Sequence, residues 1–254
     1  MVKLAQMDFG GDGERPALIL LHGLLGTARN LTTVARSFSK TRRVIGLDMR
    51  NHGQSPRLET QSYLDMAEDV AETLVDFGEE YDLLGHSMGG KAAMVGVLER
   101  WLTPRKVVVG DIAPVAYDHS QAPYISAMLS TDLSQYARRA PLAADLGKAV
   151  GDDVMGQFMA QSARLGPDAG WIPNLDVLLR EMDVIVGFPS YDDPVDQDVF
   201  FVAGGASPYV DADAVHRLFP AARIEVIRGA GHWVHAEAPE AFNDCVRAYL
   251  DGSS

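Results

Sequence analysis

Short apolar runs alternate along this chain with longer stretches of helical character. The runs at residues 17–21, 43–47, 81–84, 106–109, 199–202 and 223–227 are rich in Val, Ile and Leu. Such runs, separated by helix-like segments, predict an α/β fold: a mostly parallel central sheet flanked by helices. Each run ends at a polar or glycine-rich turn: His22-Gly23, Asp48, Gly85-His86-Ser87, Gly110-Asp111, Gly204-Gly205 and Gly229-Ala230-Gly231-His232. In open α/β sheets the ligand crevice lies beyond the carboxyl ends of the strands, so these turns bring the reactive residue types to one edge.

The strand signal disappears between residues 114 and 195, where helices are predicted over 124–129, 141–150, 154–163 and 175–183. A segment of that length without strands reads as an insertion before the penultimate strand. The expected organisation is therefore a core of residues 1–113 and 196–254, with 114–195 as a helical cap or lid over the strand ends. Met128, Phe158, Met159, Trp171 and Met182 are candidates for lid core or pocket lining, and Asn174 is a further pocket candidate.

The turn Gly85-His86-Ser87-Met88-Gly89 follows an apolar run directly, the arrangement of a nucleophile elbow. A serine on a tight strand-to-helix turn occupies a strained backbone position, and side chains two residues to either side collide there. Ser87 is thus the candidate nucleophile. A serine hydroxyl needs a base, usually an imidazole held by a carboxylate. His232, in a glycine-flanked turn after the last predicted strand and downstream of the serine, is the candidate base. His22, His52, His86 and His235 are read as structural, fixing turns or lining the pocket.

The tetrahedral intermediate of acyl transfer needs two backbone N–H donors. Met88, after the nucleophile at a helix start, is one candidate. The loop His22-Gly23-Leu24-Leu25-Gly26 supplies the other, with Leu24 first, Leu25 second and Gly23 in support. The acid is less direct, because Ser207 stands after the penultimate strand where an aspartate is expected. Asp211 and Asp213 lie a few residues further on and would have to curl back. Asp111 ends a strand expected to lie between the elbow strand and the one before Ser207, and is the stronger candidate, with Ser207 as a supporting hydrogen-bonding group.

Length and composition narrow the class. With 254 residues and 47% hydrophobic content, one sizeable core is expected. A formal charge of −13 argues against nucleic acid and anionic membrane surfaces as partners. The single cysteine, Cys245, forms no internal disulfide, and no apolar run approaches the length of a membrane span. The beginning of the chain does not read as a secretory signal, so a cytoplasmic location is expected. No metal or organic cofactor is called for.

The stretches Asp48-Met49-Arg50-Asn51-His52-Gly53-Gln54-Ser55-Pro56, Gly85-His86-Ser87-Met88-Gly89-Gly90-Lys91, Asp111-Ile112-Ala113-Pro114 and Gly231-His232-Trp233-Val234-His235-Ala236-Glu237 occur in that order. The chain resembles the α/β-hydrolase fold over essentially its whole length, and within it the YbfF-type esterases and the ABHD-eleven-like group. The resemblance implies a serine carboxylesterase acting on small to medium carboxylic esters, with acyl-CoA thioesters as a further substrate class. It also supports Asp111 over Asp211. C–C bond hydrolysis, lyase chemistry and cofactor-free peroxidation are alternatives, since the same triad supports them. Arg50 and Asn51 are expected to tie down the neighbouring loop, and Lys91 to be a helix-surface or loop-anchoring charge.

Overall fold

The computed structural model describes residues 1–252. Its strands are β1 (Gln6–Asp8), β2 (Ala17–Leu21), β3 (Val44–Leu47), β4 (Tyr81–His86), β5 (Val107–Gly110), β6 (Ala163–Arg164), β7 (Gly170–Trp171), β8 (Val199–Gly204) and β9 (Arg223–Ile227). Seven of them form one sheet in the order β1-β3-β2-β4-β5-β8-β9. Every neighbouring pair is parallel except β1 with β3. The edge strand β1 has no apolar run to announce it, being the polar tripeptide Gln6-Met7-Asp8 with an exposed face.

The helices are α1 (Thr32–Phe38), α2 (Tyr63–Leu74), α3 (Met88–Leu98), α4 (Ala122–Leu129), α5 (Arg139–Val150), α6 (Asp153–Gln161), α7 (Leu175–Arg180), α8 (Met182–Val186), α9 (Ala212–Leu218), α10 (Val234–Glu237) and α11 (Pro239–Asp251). The two-residue alternation of a strand divides the core. Ile19, Leu21, Leu83, Val107, Val109 and Phe201 face one side and pack with α2, α3 and α9. Leu18, Leu20, Leu84, Val108, Phe200 and Val202 face the other and pack with α1 and α11. All of α3 is buried, so its sequence is apolar all round with Lys91 as the one charged residue.

Helices α4 to α8 and the β6–β7 hairpin all lie between β5 and β8 and contribute nothing to the main sheet. They enclose a third apolar cluster around Met128, Leu142, Met159, Leu178 and Met182, into which Leu25 also packs. Two expectations for this segment are corrected. The helix expected to reach residue 163 stops at Gln161, because Ala163 pairs with Trp171 in the hairpin. The helix expected over 175–183 is two short ones, interrupted at Glu181 with φ −91° and ψ 12°.

Candidate active site

Strand β4 continues two residues beyond its apolar run, so Gly85 and His86 belong to the sheet and Ser87 is the turn residue. Ser87 adopts φ 52° and ψ −119°, a region that L-residues avoid. The glycines around it permit close contact between strand and helix. A Cβ on Gly85 would stand 2.3 Å from the Gly89 carbonyl oxygen, and one on Gly89 would stand 2.5 Å from that of Leu21.

Asp111 follows β5, which lies between β4 and β8 as expected. In register, His86 pairs with Gly110 and Gly110 with Val202, so the residues leaving these strand ends converge. The Ser87 hydroxyl stands 3.0 Å from His232 Nε2. On the other side of the ring, His232 Nδ1 stands 2.8 Å from Asp111 Oδ2. The Asp111 side chain is fully buried. It accepts further hydrogen bonds from the Gly204 N–H at 2.7 Å and from the Ser207 hydroxyl. A buried carboxylate with donors on both oxygens is compensated for its loss of water. Asp211 is occupied elsewhere: its carboxylate caps α9 by accepting from the Ala214 N–H at 3.0 Å.

The loop after β2 is held by two histidines. His22 Nε2 accepts from the Met49 N–H at 2.9 Å while Nδ1 donates to the Gly23 carbonyl at 2.8 Å. His52 Nε2 accepts from the Leu25 N–H at 3.1 Å and its Nδ1 donates to the Arg50 carbonyl at 2.8 Å. Each ring uses one nitrogen as acceptor, so each is neutral. Burial is the main cause lowering their pKa values, to about 4 for His22 and about 3 for His52. The Leu25 N–H, second choice as an oxyanion donor, is therefore engaged. The Leu24 N–H has no hydrogen-bond partner among the described residues. Met88 opens α3, where a helix leaves its first N–H groups without internal acceptors. Gly23 fits closely beside them, since a Cβ there would meet His86 Nδ1 at 3.2 Å and Ser87 Cβ at 3.3 Å.

Ser87, His232, Leu24 and Met88 all line one cavity of about 990 Å³. Residues 18–245 match the alpha/beta hydrolase family. The chain belongs to that family. It is 38% identical to the esterase YbfF of Escherichia coli (strain K12), with 92% of each chain covered. It is 35% identical to the mouse sn-1-specific diacylglycerol lipase ABHD11, over 94% of this chain and 82% of that one. Among solved structures, a marine microorganism esterase superposes with a TM-score of 0.90 at 30% identity, covering 98% of this chain and 100% of that one.

Sequence reasoning left Glu237, Tyr209, His119 and Tyr117 without a role and read His86 as structural, and all five bear on the site of this α/β hydrolase. Glu237 brackets His232, accepting from the Gly231 N–H at 2.7 Å and the Trp233 N–H at 3.1 Å. His86 Nε2 donates to the His232 carbonyl at 2.8 Å, and burial holds its own pKa well below the ordinary value. The Tyr209 ring lies over that of His232, with centroids 4.3 Å apart, and its hydroxyl meets His119 Nε2 at 2.8 Å. The Tyr117 hydroxyl donates to the Tyr209 carbonyl at 2.6 Å and accepts from the Ala113 N–H at 2.9 Å.

Arg50 pairs with Asp69 at 2.6 Å, and Asn51, at φ 63°, bonds to Thr60, Gln61 and Leu58, so both tie down this loop. Lys91 is buried rather than at the helix surface and is an anchoring charge instead, its ammonium donating to the Val186 and Gly187 carbonyls at 3.0 and 2.6 Å. Of the apolar pocket candidates, Phe158 lines the cavity and packs on Trp233, while Met128, Met159 and Met182 are in the helical cluster. Trp171 and Asn174 are outside the cavity lining. Trp171 packs at the margin of the helical cluster, and Asn174 bonds through its side chain to Asn51 Oδ1 at 3.1 Å.

Proposed function

We propose that the protein is a serine carboxylesterase that cleaves small to medium carboxylic esters through an acyl-enzyme on Ser87. The observation that carries this reading is the unbroken chain of contacts from Ser87 through His232 to Asp111, opening onto the cavity. The named activities of the esterase and lipase relatives agree with it.

In this reading His232 Nε2 takes the hydroxyl proton as Ser87 Oγ attacks the ester carbonyl. Asp111 holds the imidazole in the tautomer with hydrogen on Nδ1 and stabilises the imidazolium that forms. The Leu24 and Met88 N–H groups receive the oxyanion, with the first turn of α3 adding its favourable field. The imidazolium returns its proton to the departing alkoxide. Water then attacks the acyl-enzyme by the same steps, releasing the carboxylic acid and restoring Ser87. A thioester reacts identically up to the leaving thiolate, so acyl-CoA thioesters belong to the proposed substrate range. Residues 114–195 act as a cap that bounds the acyl pocket and excludes water.

Replacing Ser87 by Ala removes only the hydroxyl. Turnover of p-nitrophenyl butyrate should vanish while circular dichroism is unchanged, and a fluorophosphonate probe should label the parent protein but not the variant. Near-parental turnover by Ser87→Ala would refute the assignment.

A further inference from the structure

Lys91 is one turn beyond Ser87 on α3, lines the same cavity, and is 1% exposed. Three aromatic rings surround its ammonium, with centroid distances of 4.6 Å to Tyr117, 5.4 Å to Tyr63 and 6.0 Å to Phe188. Its two carbonyl partners, Val186 and Gly187, are the last residue and cap of α8, the helix end that favours a cation, and the Val186 carbonyl also accepts from the Tyr117 N–H at 3.0 Å. Tyr63 reinforces the same junction by donating its hydroxyl to the Ile185 carbonyl at 2.6 Å.

Gly187 and Phe188 of this cluster also line a second, smaller hollow of about 320 Å³, together with Ser62, Leu64, Val184 and Pro189. Tyr63 lines both hollows. Leu64 and Val184, each 41% exposed, give the smaller one an apolar mouth. Tyr63 thus borders both hollows, and Lys91, which lines the cavity containing the proposed nucleophile, contacts Gly187 and Phe188 of the other.

We propose that Lys91 and Tyr63 form the partition that ends the acyl side of the cavity, making them specificity-determining residues that set the longest acyl chain the enzyme accepts. The inference rests on the esterase reading above. The lysine stem and tyrosine ring fill the space, and the Tyr63 hydroxyl holds α8 at the Ile185 carbonyl so that the wall does not yield to a longer chain. With the partition removed, the cavity and the smaller hollow join, and additional methylenes of a longer acyl group are buried against Phe188, Leu64 and Val184. Each buried methylene contributes roughly a fourfold gain, so a few of them produce a change easily read as a ratio.

The test compares kcat/KM for p-nitrophenyl acetate, butyrate and octanoate in the parent, Lys91→Ala and Lys91→Met. Lys91→Ala should raise the octanoate-to-acetate ratio about tenfold or more. Lys91→Met keeps the bulk without the charge and should stay within about threefold of the parent. Tyr63→Leu thins the same wall with Lys91 in place and should move the ratio in the direction of Lys91→Ala, which covers the case that Lys91→Ala does not fold. An unchanged ratio in both truncations, or an equal change in Lys91→Met, overturns the partition. Binding of neutral methyl ketones of four and ten carbons in the Ser87→Ala background tests the wall without chemistry, and Lys91→Ala should tighten the longer ketone selectively. A parent protein that cleaves none of the esters would refute the esterase reading, while the ketone ratio would still decide the partition.

Discussion

His232 Nδ1 stands 2.8 Å from Asp111 Oδ2, although the two residues are 121 positions apart in the chain. Asp111 itself has φ 48°, in the left-handed region, and its N–H donates to the Val202 carbonyl of β8 at 2.9 Å. Asp111→Asn keeps the shape but offers an amide that stabilises the wrong imidazole tautomer. We expect kcat to fall about ten-thousand-fold with the fold intact. Asp211→Ala should instead lose a helix cap, costing about 1 kcal/mol in a denaturant titration with kcat unchanged. Steady-state kinetics on both variants decide the matter, and the reverse ranking would move the acid.

The apolar runs at 17–21 and 223–227 coincide with β2 and β9. Strand β2, buried throughout, carries an unbroken apolar run, and the edge strand β9, though largely exposed, alternates apolar Ile224, Val226 and Ile227 with charged residues, whereas β1 is three residues long and β6 and β7 two each, too short for any periodicity. Ser87, Asp111 and His232 are legible for a related reason: each lies at, or within a few residues of, the end of a strand, and sheet order then dictates proximity. The bond from the Leu25 N–H to His52 is of another kind. It joins two loops 27 positions apart, and nothing in either loop's local pattern points to the other. Lys91 reads as a helix-surface or loop-anchoring charge, and the sequence does not choose between the two because a lysine is usually exposed. Only the three-dimensional approach of the α8 end, which supplies the carbonyls, and of Tyr63, Tyr117 and Phe188, which supply the rings, makes its burial tolerable.

His52 orients the proposed oxyanion loop by engaging the Leu25 N–H at 3.1 Å. His52→Leu removes that acceptor, leaving a buried donor unpaired and the Leu24 N–H free to turn from the cavity. Loss of one oxyanion donor costs on the order of a hundredfold in kcat. We expect a fall of about tenfold to a hundredfold with KM changed by no more than about threefold, and partial recovery in His52→Gln, whose amide retains an acceptor. A kcat equal to the parent's in His52→Leu would remove this loop from the mechanism.

At the opposite end of β4 from Ser87, Asp82 is fully buried and receives Arg42 and Arg105, each at 2.6 Å. Burial pushes its carboxyl above the ordinary value while the two guanidiniums oppose that shift. Arg42 is also paired with Asp251 at 2.6 Å, so it does not depend on Asp82 alone. Asp82→Asn leaves two cations beside a neutral amide and should lower unfolding stability by about 3 kcal/mol. Because the network is remote from the carboxyl ends of the strands, kcat at 25 °C should be unaffected. The midpoint of urea unfolding measures the first expectation, and an unshifted midpoint would show the pairs to be dispensable.

Stability should fall steeply on mild acidification. Burial lowers the pKa of His22 to about 4, of His52 to about 3 and of His235 to about 4, from an ordinary 6.5. With folded-state values depressed, the unfolded chain binds protons between about pH 6.5 and 4 that the folded rings refuse, so unfolding free energy decreases as pH drops through that window. Each such histidine contributes a slope of about 1 kcal/mol per pH unit near pH 5. His22→Gln offers a non-titrating acceptor to the Met49 N–H, and should therefore show a shallower decline than the parent by about that amount. Guanidinium unfolding at half-unit intervals from pH 7.5 to 4.5 provides the comparison, with carboxylate titration common to both proteins and cancelling in the difference. Parallel stability curves for the two proteins would mean that His22 takes up its proton without opening the loop after β2.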